Sequence, residues 1–142
     1  MSDTTIKTPW HLWAVGGISL LWNAFGCYDF TMTATNNAAY LEPYPQELRD
    51  YWLNMPTWTW IIWAIGVFGG LLGSLALLLR LKLAYPLFAA SFLGALVSMG
   101  RSYLDKDAPT VEGIAVMSLV ILAIALILAL YARWLSRREV LR

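Results

Sequence analysis

Residues Pro56–Leu79 read PTWTWIIWAIGVFGGLLGSLALLL, without one charged side chain, and Arg80-Leu81-Lys82 follow directly. A helix crossing the hydrocarbon core of a bilayer needs roughly 20 mostly apolar residues. The stretch therefore predicts a membrane span with a basic stop. Another apolar run, about Leu83–Ser102, begins immediately after the stop. So short a connection predicts a tight antiparallel helical hairpin. Two further runs meet the same criterion, about Trp10–Phe30 and about Val111–Trp134. The 142 residues are thus expected to form a single all-α membrane domain, a four-transmembrane-helix bundle with spans at about 10–30, 56–79, 83–102 and 111–134.

Composition agrees with a lipid environment. Hydrophobic residues make up 59% and charged residues 13%, against roughly 45–50% and about 25% in ordinary globular chains. Mean hydropathy is +0.59. A chain of this length cannot hide so much apolar surface in one water-soluble core. The first apolar run is longer than the usual core of a removable signal and is expected to stay in the protein.

The same counts narrow the function classes. Net charge is +1, so no strong field draws nucleic acid. Cys27 and His11 are each the sole residue of their type. That leaves no intramolecular disulfide, no cysteine-based zinc site and no bis-histidine haem. No cofactor, no metal and no enzyme activity are expected. Cysteine pairs of the kind used by disulfide-generating membrane oxidoreductases and claudin-like proteins are missing, and so is the embedded glutamate of small multidrug exporters.

Between the first two spans lies a loop, Thr31–Met55. Its second half has helical spacing: Pro45 suits a helix start, and Leu48, Tyr51, Trp52 and Met55 follow at i, i+3, i+4 and i+7. This predicts a short amphipathic helix in the membrane interface. Orientation follows from basic residues near the span ends. Lys7, Arg80, Lys82, Arg133, Arg137, Arg138 and Arg142 fall on one side, against Arg49, Arg101 and Lys106 on the other. The first side is expected to be cytoplasmic, with both termini, and the loop helix periplasmic.

Three groups of residues stand out as candidate sites. The first is aromatic and falls on the periplasmic side: Tyr28, Trp52, Trp58, Trp60, Trp63 and Tyr103. Two readings stand: an interfacial belt, or a surface for a ligand with a flat or apolar face, such as a sugar, quinone, pigment or lipid. Trp22 lies near mid-span and is expected in the core. The second group is Gly66, Gly69, Gly70 and Gly73, which share one helical face and permit close approach of another helix, of this chain or of a second subunit. The third is polar. Asn23 lies within the first span, on a face with Gly16, Ser19 and Gly26, and Asp29 sits at that face's edge. Arg101 ends a face of the third span that carries Ser91, Gly94 and Ser98. Asp29 and Arg101 fall at one depth, so Asn23, Asp29 and Arg101 form a candidate polar or ion-pair site. The fourth run is almost pure Ala, Ile, Leu and Val and is expected to face lipid or a partner's apolar surface.

The string LWNAFGCYDF at Leu21–Phe30, followed by Pro56-Thr57-Trp58 and by WAIGVFGGLLGS at Trp63–Ser74, resembles a family of small four-span inner-membrane proteins of proteobacteria that often carry the label "sugar transporter". The likeness covers nearly the whole chain and implies a compartment, the bacterial inner membrane, more than an activity. The function expected is that of a small polytopic accessory or interaction protein, a subunit or assembly partner of a membrane complex. Its partners would be membrane lipids and other membrane spans, or itself. The alternative is a small-molecule carrier, for sugar among other substrates, acting as a homo-oligomer.

Overall fold

The computed structural model describes residues 7–109 and 113–142. Among them the chain forms helices and no strand: α1 (Trp10–Ala34), α2 (Ala38–Leu41), α3 (Gln46–Leu53), α4 (Thr57–Leu78), α5 (Ala84–Leu104) and α6 (Ile114–Arg137). Three of these, α4, α5 and α6, are long and apolar enough to cross a membrane, which marks the chain as a membrane protein. α1 has the length without the same mean hydropathy, because Trp, His11, Asn23 and Asp29 interrupt its apolar residues. The start expected at Val111 lies outside the described residues.

Local chemistry sets the ends of these helices. α1, α3 and α4 begin directly after Pro9, Pro45 and Pro56, where fixed φ and a missing N–H suit a helix start. α1 continues past the expected Phe30 by one turn. There the hydroxyls of Thr31, Thr33 and Thr35 donate to the carbonyls of Cys27, Asp29 and Thr31 at 2.7–2.8 Å. α1, α4 and α6 each end with a non-glycine residue at positive φ: Asn36 (53°), Arg80 (58°) and Glu139 (60°). In each case the following N–H reaches back to the carbonyl of Met32, Ala76 or Leu135 at 2.8–3.1 Å. This is the Schellman arrangement usually given to glycine.

Packing follows chain order. α1 lies on α4, α4 on α5, and α5 on α6, so the long helices alternate up and down. α1 does not pack along α6. The two meet near the start of α1, where His11 hydrogen-bonds Tyr131 at 2.5 Å and lies beside Trp134. Three layers stack along the helix axes. At the end holding the start of α1, Leu12, Leu77, Phe88, Leu128, Leu135 and Leu141 form a buried apolar core. The middle layer is made of glycine and serine. At the opposite end, here the loop end, α2 and α3 fold back toward α1, burying Thr33, Leu41 and Leu48.

The C-terminal residues close the first end. The Lys82 N–H donates to the Arg142 carbonyl at 2.6 Å, and the Arg142 N–H donates to the Arg80 carbonyl at 2.7 Å. The Arg80 guanidinium reaches Thr8 Oγ1 at 3.0 Å. The α4–α5 turn is thereby held by Thr8, just before α1, and by Arg142.

Candidate functional site

In the middle layer, glycine on α4 lets neighbouring helices come close. A Cβ on Gly66 would lie 3.5 Å from Ala95 N, and one on Gly69 would lie 3.3 Å from Leu87 O, both backbone atoms of α5. A Cβ on Gly73 would meet the Phe88 ring at 2.9 Å. Gly94 returns the contact from α5: a Cβ there would stand 3.0 Å from Gly66 N and from Ile62 O. The glycine face is thus occupied within the chain, chiefly by α5.

Gly70 is approached from both sides. A Cβ there would fall 2.1 Å from Asn23 Oδ1 on α1 and 3.2 Å from Ser91 Oγ on α5. Asn23 Nδ2 donates to the Ser19 carbonyl at 2.8 Å and to Ser74 Oγ at 3.2 Å. Ser74 Oγ donates to the Gly70 carbonyl at 2.9 Å, and Ser91 Oγ to the Gly66 carbonyl at 2.5 Å. Polar groups of three helices therefore converge at one depth, and each donor is used on a neighbour. Such hydrogen bonds hold helices together in lipid. Sequence reading had not singled out Ser74, since one serine within an apolar helix has no local signal. Cys27 belongs to the same seam: it is buried, with its Sγ 3.4 Å from the Val67 carbonyl.

Asp29 and Arg101 do not pair. α4 stands between α1 and α5, and each charged group has a nearer tyrosine. The Tyr40 hydroxyl donates to Asp29 Oδ1. Burial, then this bond to a carboxylate, pushes the Tyr40 hydroxyl well above the ordinary tyrosine range. Arg101 Nη1 donates to the Tyr51 hydroxyl at 3.3 Å, and its guanidinium lies 5.4 Å from the Trp58 ring centre. Tyr51 in turn donates to Asp105 Oδ2 at 2.9 Å. The Asp105 carboxyl is held below the usual range, first by the Asp107 backbone N–H and then by Tyr51. This relay ties α3 to the end of α5. It borders an open groove of about 630 Å³ lined also by Glu47, Asp50 and Asn54.

The aromatic residues separate into groups instead of one surface. Trp60 and Trp63 stack at 5.4 Å, with the Phe30 ring edge-on to both. Tyr28, Tyr40, Tyr44 and Trp52 form a second run, with ring centres 5.1–6.4 Å apart. Trp58 serves Arg101. Tyr103 is 85% exposed and joins none of these groups. Trp22 is 37% exposed, a correction to its expected place in the core: it flanks the face of α1 that meets α4 and leaves a third of its surface open. Phe30 was missed, because phenylalanine in an apolar run gives no sign of its neighbours.

Comparison with known protein families, with curated proteins and with solved structures finds no match.

Proposed function

We propose that the chain is a four-span protein of a bacterial inner membrane, with both termini cytoplasmic and α3 at the periplasmic face, acting as a small accessory or assembly partner of a membrane complex. The observation that carries the reading is the chemistry of the middle layer. Between His11 and Asp29 in α1, throughout α4, between Ala84 and Arg101 in α5, and between Ile114 and Arg133 in α6 there is no Asp, Glu, Lys, Arg or His. A carrier's path through a membrane is normally marked by such groups. The Asn23 amide and the Ser74 and Ser91 hydroxyls there are spent on bonds within α1 and α4 and across to a neighbouring helix. The compartment rests on the family resemblance, and the orientation on the asymmetry of Lys and Arg.

That α1 also crosses is supported by its alignment with α4. Gly16 meets Leu78, Asn23 meets Ser74, and Cys27 meets Val67, so α1 follows a spanning helix from end to end. Its 25 residues reach about 37 Å at ~1.5 Å per residue. The convergence of Asn23, Ser74 and Ser91 favours one second reading, a carrier acting as a homo-oligomer with Asn23 in its path.

Cross-linking in native membranes followed by mass spectrometry separates the two. The accessory reading expects other membrane proteins among the products, and unchanged products in Asn23→Leu. Recovery of the chain only with itself, together with Asn23-dependent solute uptake by proteoliposomes containing it alone, would replace that reading with the carrier.

A further inference from the structure

At the end holding the start of α1, the start of α5 and the last turns of α6 enclose an open groove of about 480 Å³. Lys82, Arg133 and Arg137 line it with Tyr85, Pro86 and Ser136, and no acidic side chain does. On α6 the positions 126, 130, 133 and 137 follow one face at i, i+4, i+7 and i+11. Leu126 and Leu130, on that face, are 41% and 53% exposed. An apolar strip therefore leads straight up to the two arginines. A ligand that complements both parts has an anionic head beside an acyl chain, at the depth where a membrane-spanning helix leaves the hydrocarbon.

We propose that this groove binds the phosphate of an anionic phospholipid, with Lys82, Arg133 and Arg137 around the phosphate and an acyl chain along Leu130 and Leu126. Arginine suits this role because its planar fork of donors matches phosphate oxygens. Basic pockets between spans at a membrane surface recognise such headgroups. The site is independent of the accessory role and of which leaflet it faces.

The test is thermal unfolding of the full chain, purified in a mild non-ionic detergent and titrated with phosphatidylglycerol, phosphatidylcholine or inorganic phosphate. Phosphatidylglycerol is expected to raise the melting temperature saturably, and the other two are not. Each cation removed in Lys82→Gln, Arg133→Gln and Arg137→Gln should weaken the apparent affinity by roughly fivefold. Arg133→Lys with Arg137→Lys should retain most of it. Arg138→Gln should be neutral, because Arg138 stacks on Trp134 outside the groove. Equal response to phosphatidylcholine, an equal response to inorganic phosphate, or an equal loss in Arg138→Gln would overturn the proposal. If Lys82→Gln or Arg133→Gln does not fold, Arg137→Gln alone serves, read against Arg138→Gln.

Discussion

Gly94 lies directly against the backbone of α4: a methyl group there would stand 3.0 Å from both Gly66 N and Ile62 O. Backbone cannot rotate away as a side chain can, so α4 and α5 would have to part. Gly94→Ala is expected to destabilise by about 1–3 kcal/mol, the usual cost of forcing volume into a packed seam. Gly17 is the control, since nothing lies within 4 Å of an added Cβ there. Gly17→Ala should be neutral or stabilise by up to about 1 kcal/mol through helix propensity. Thermal unfolding of both variants in detergent checks the pair, and equal effects would mean that the glycine seam does not govern packing. Asn23 illustrates the opposite case. Its amide lies in the uncharged middle layer, and both of its bonds go to neighbouring backbone and serine, so polarity there gives cohesion without a charge.

Helix ends carry the next set of consequences. Glu139 at φ 60° has no glycine freedom, and an L-residue in that region costs about 1 kcal/mol or more. Glu139→Gly should therefore raise stability by about 0.5–1 kcal/mol, less the added freedom of the unfolded chain; a loss of stability would show that the Glu139 side chain has a role of its own. The link between α3 and α5 is a separate matter. Tyr51 donates to Asp105 and accepts from Arg101, so a double-mutant cycle of Tyr51→Phe with Asp105→Asn should show the two losses to be less than additive. Asp29→Asn with Arg101→Gln should be additive, because α4 keeps the two apart. A lowered Asp105 pKa means the carboxylate is favoured in the folded state. Its contribution is fully present above the ordinary carboxylate value of about 4 and is lost as pH falls through the lowered one. The protection of α3 amides from hydrogen exchange, relative to the intrinsic rate at each pH, should fall across that acid window, and less so in Asp105→Asn.

Across the described residues, the order α1–α4–α5–α6 places the start of α1, the α4–α5 turn and the buried Leu141 at one end. If α1 crosses as α4, α5 and α6 can, Lys7 and Glu42 must lie on opposite sides of the membrane. Single cysteines at Lys7, Glu42, Asp107 and Arg142, each exposed, in a Cys27→Ala background, provide the measurement. With an impermeant thiol reagent on intact cells, Glu42→Cys and Asp107→Cys should react, while Lys7→Cys and Arg142→Cys should not. Matching reactivity at Lys7 and Glu42 would leave α1 lying along the surface, and the reverse pattern overall would invert the orientation.

The sequence by itself determined the solvent and the elements. Runs of uncharged apolar residues ending at Arg80 and Lys82 are enough to specify spanning helices, because lipid offers an unpaired backbone no partner. The glycine face on α4 and the amphipathic spacing around Leu48 were equally legible, since helical periodicity maps residues onto a face of their own helix. Partners were a different matter. That Asp29 turns to Tyr40, Arg101 to Tyr51 and Trp58, and Asn23 to Ser74 depends on which helix lies beside which. The placing of α4 between α1 and α5 decided it, by separating two charges of equal depth. It also left Trp22 partly open and brought Lys82 of the turn to Arg133 and Arg137 of α6. Faces are local properties of spacing. Neighbours are set by contacts far apart in the chain, and only the tertiary packing supplies them.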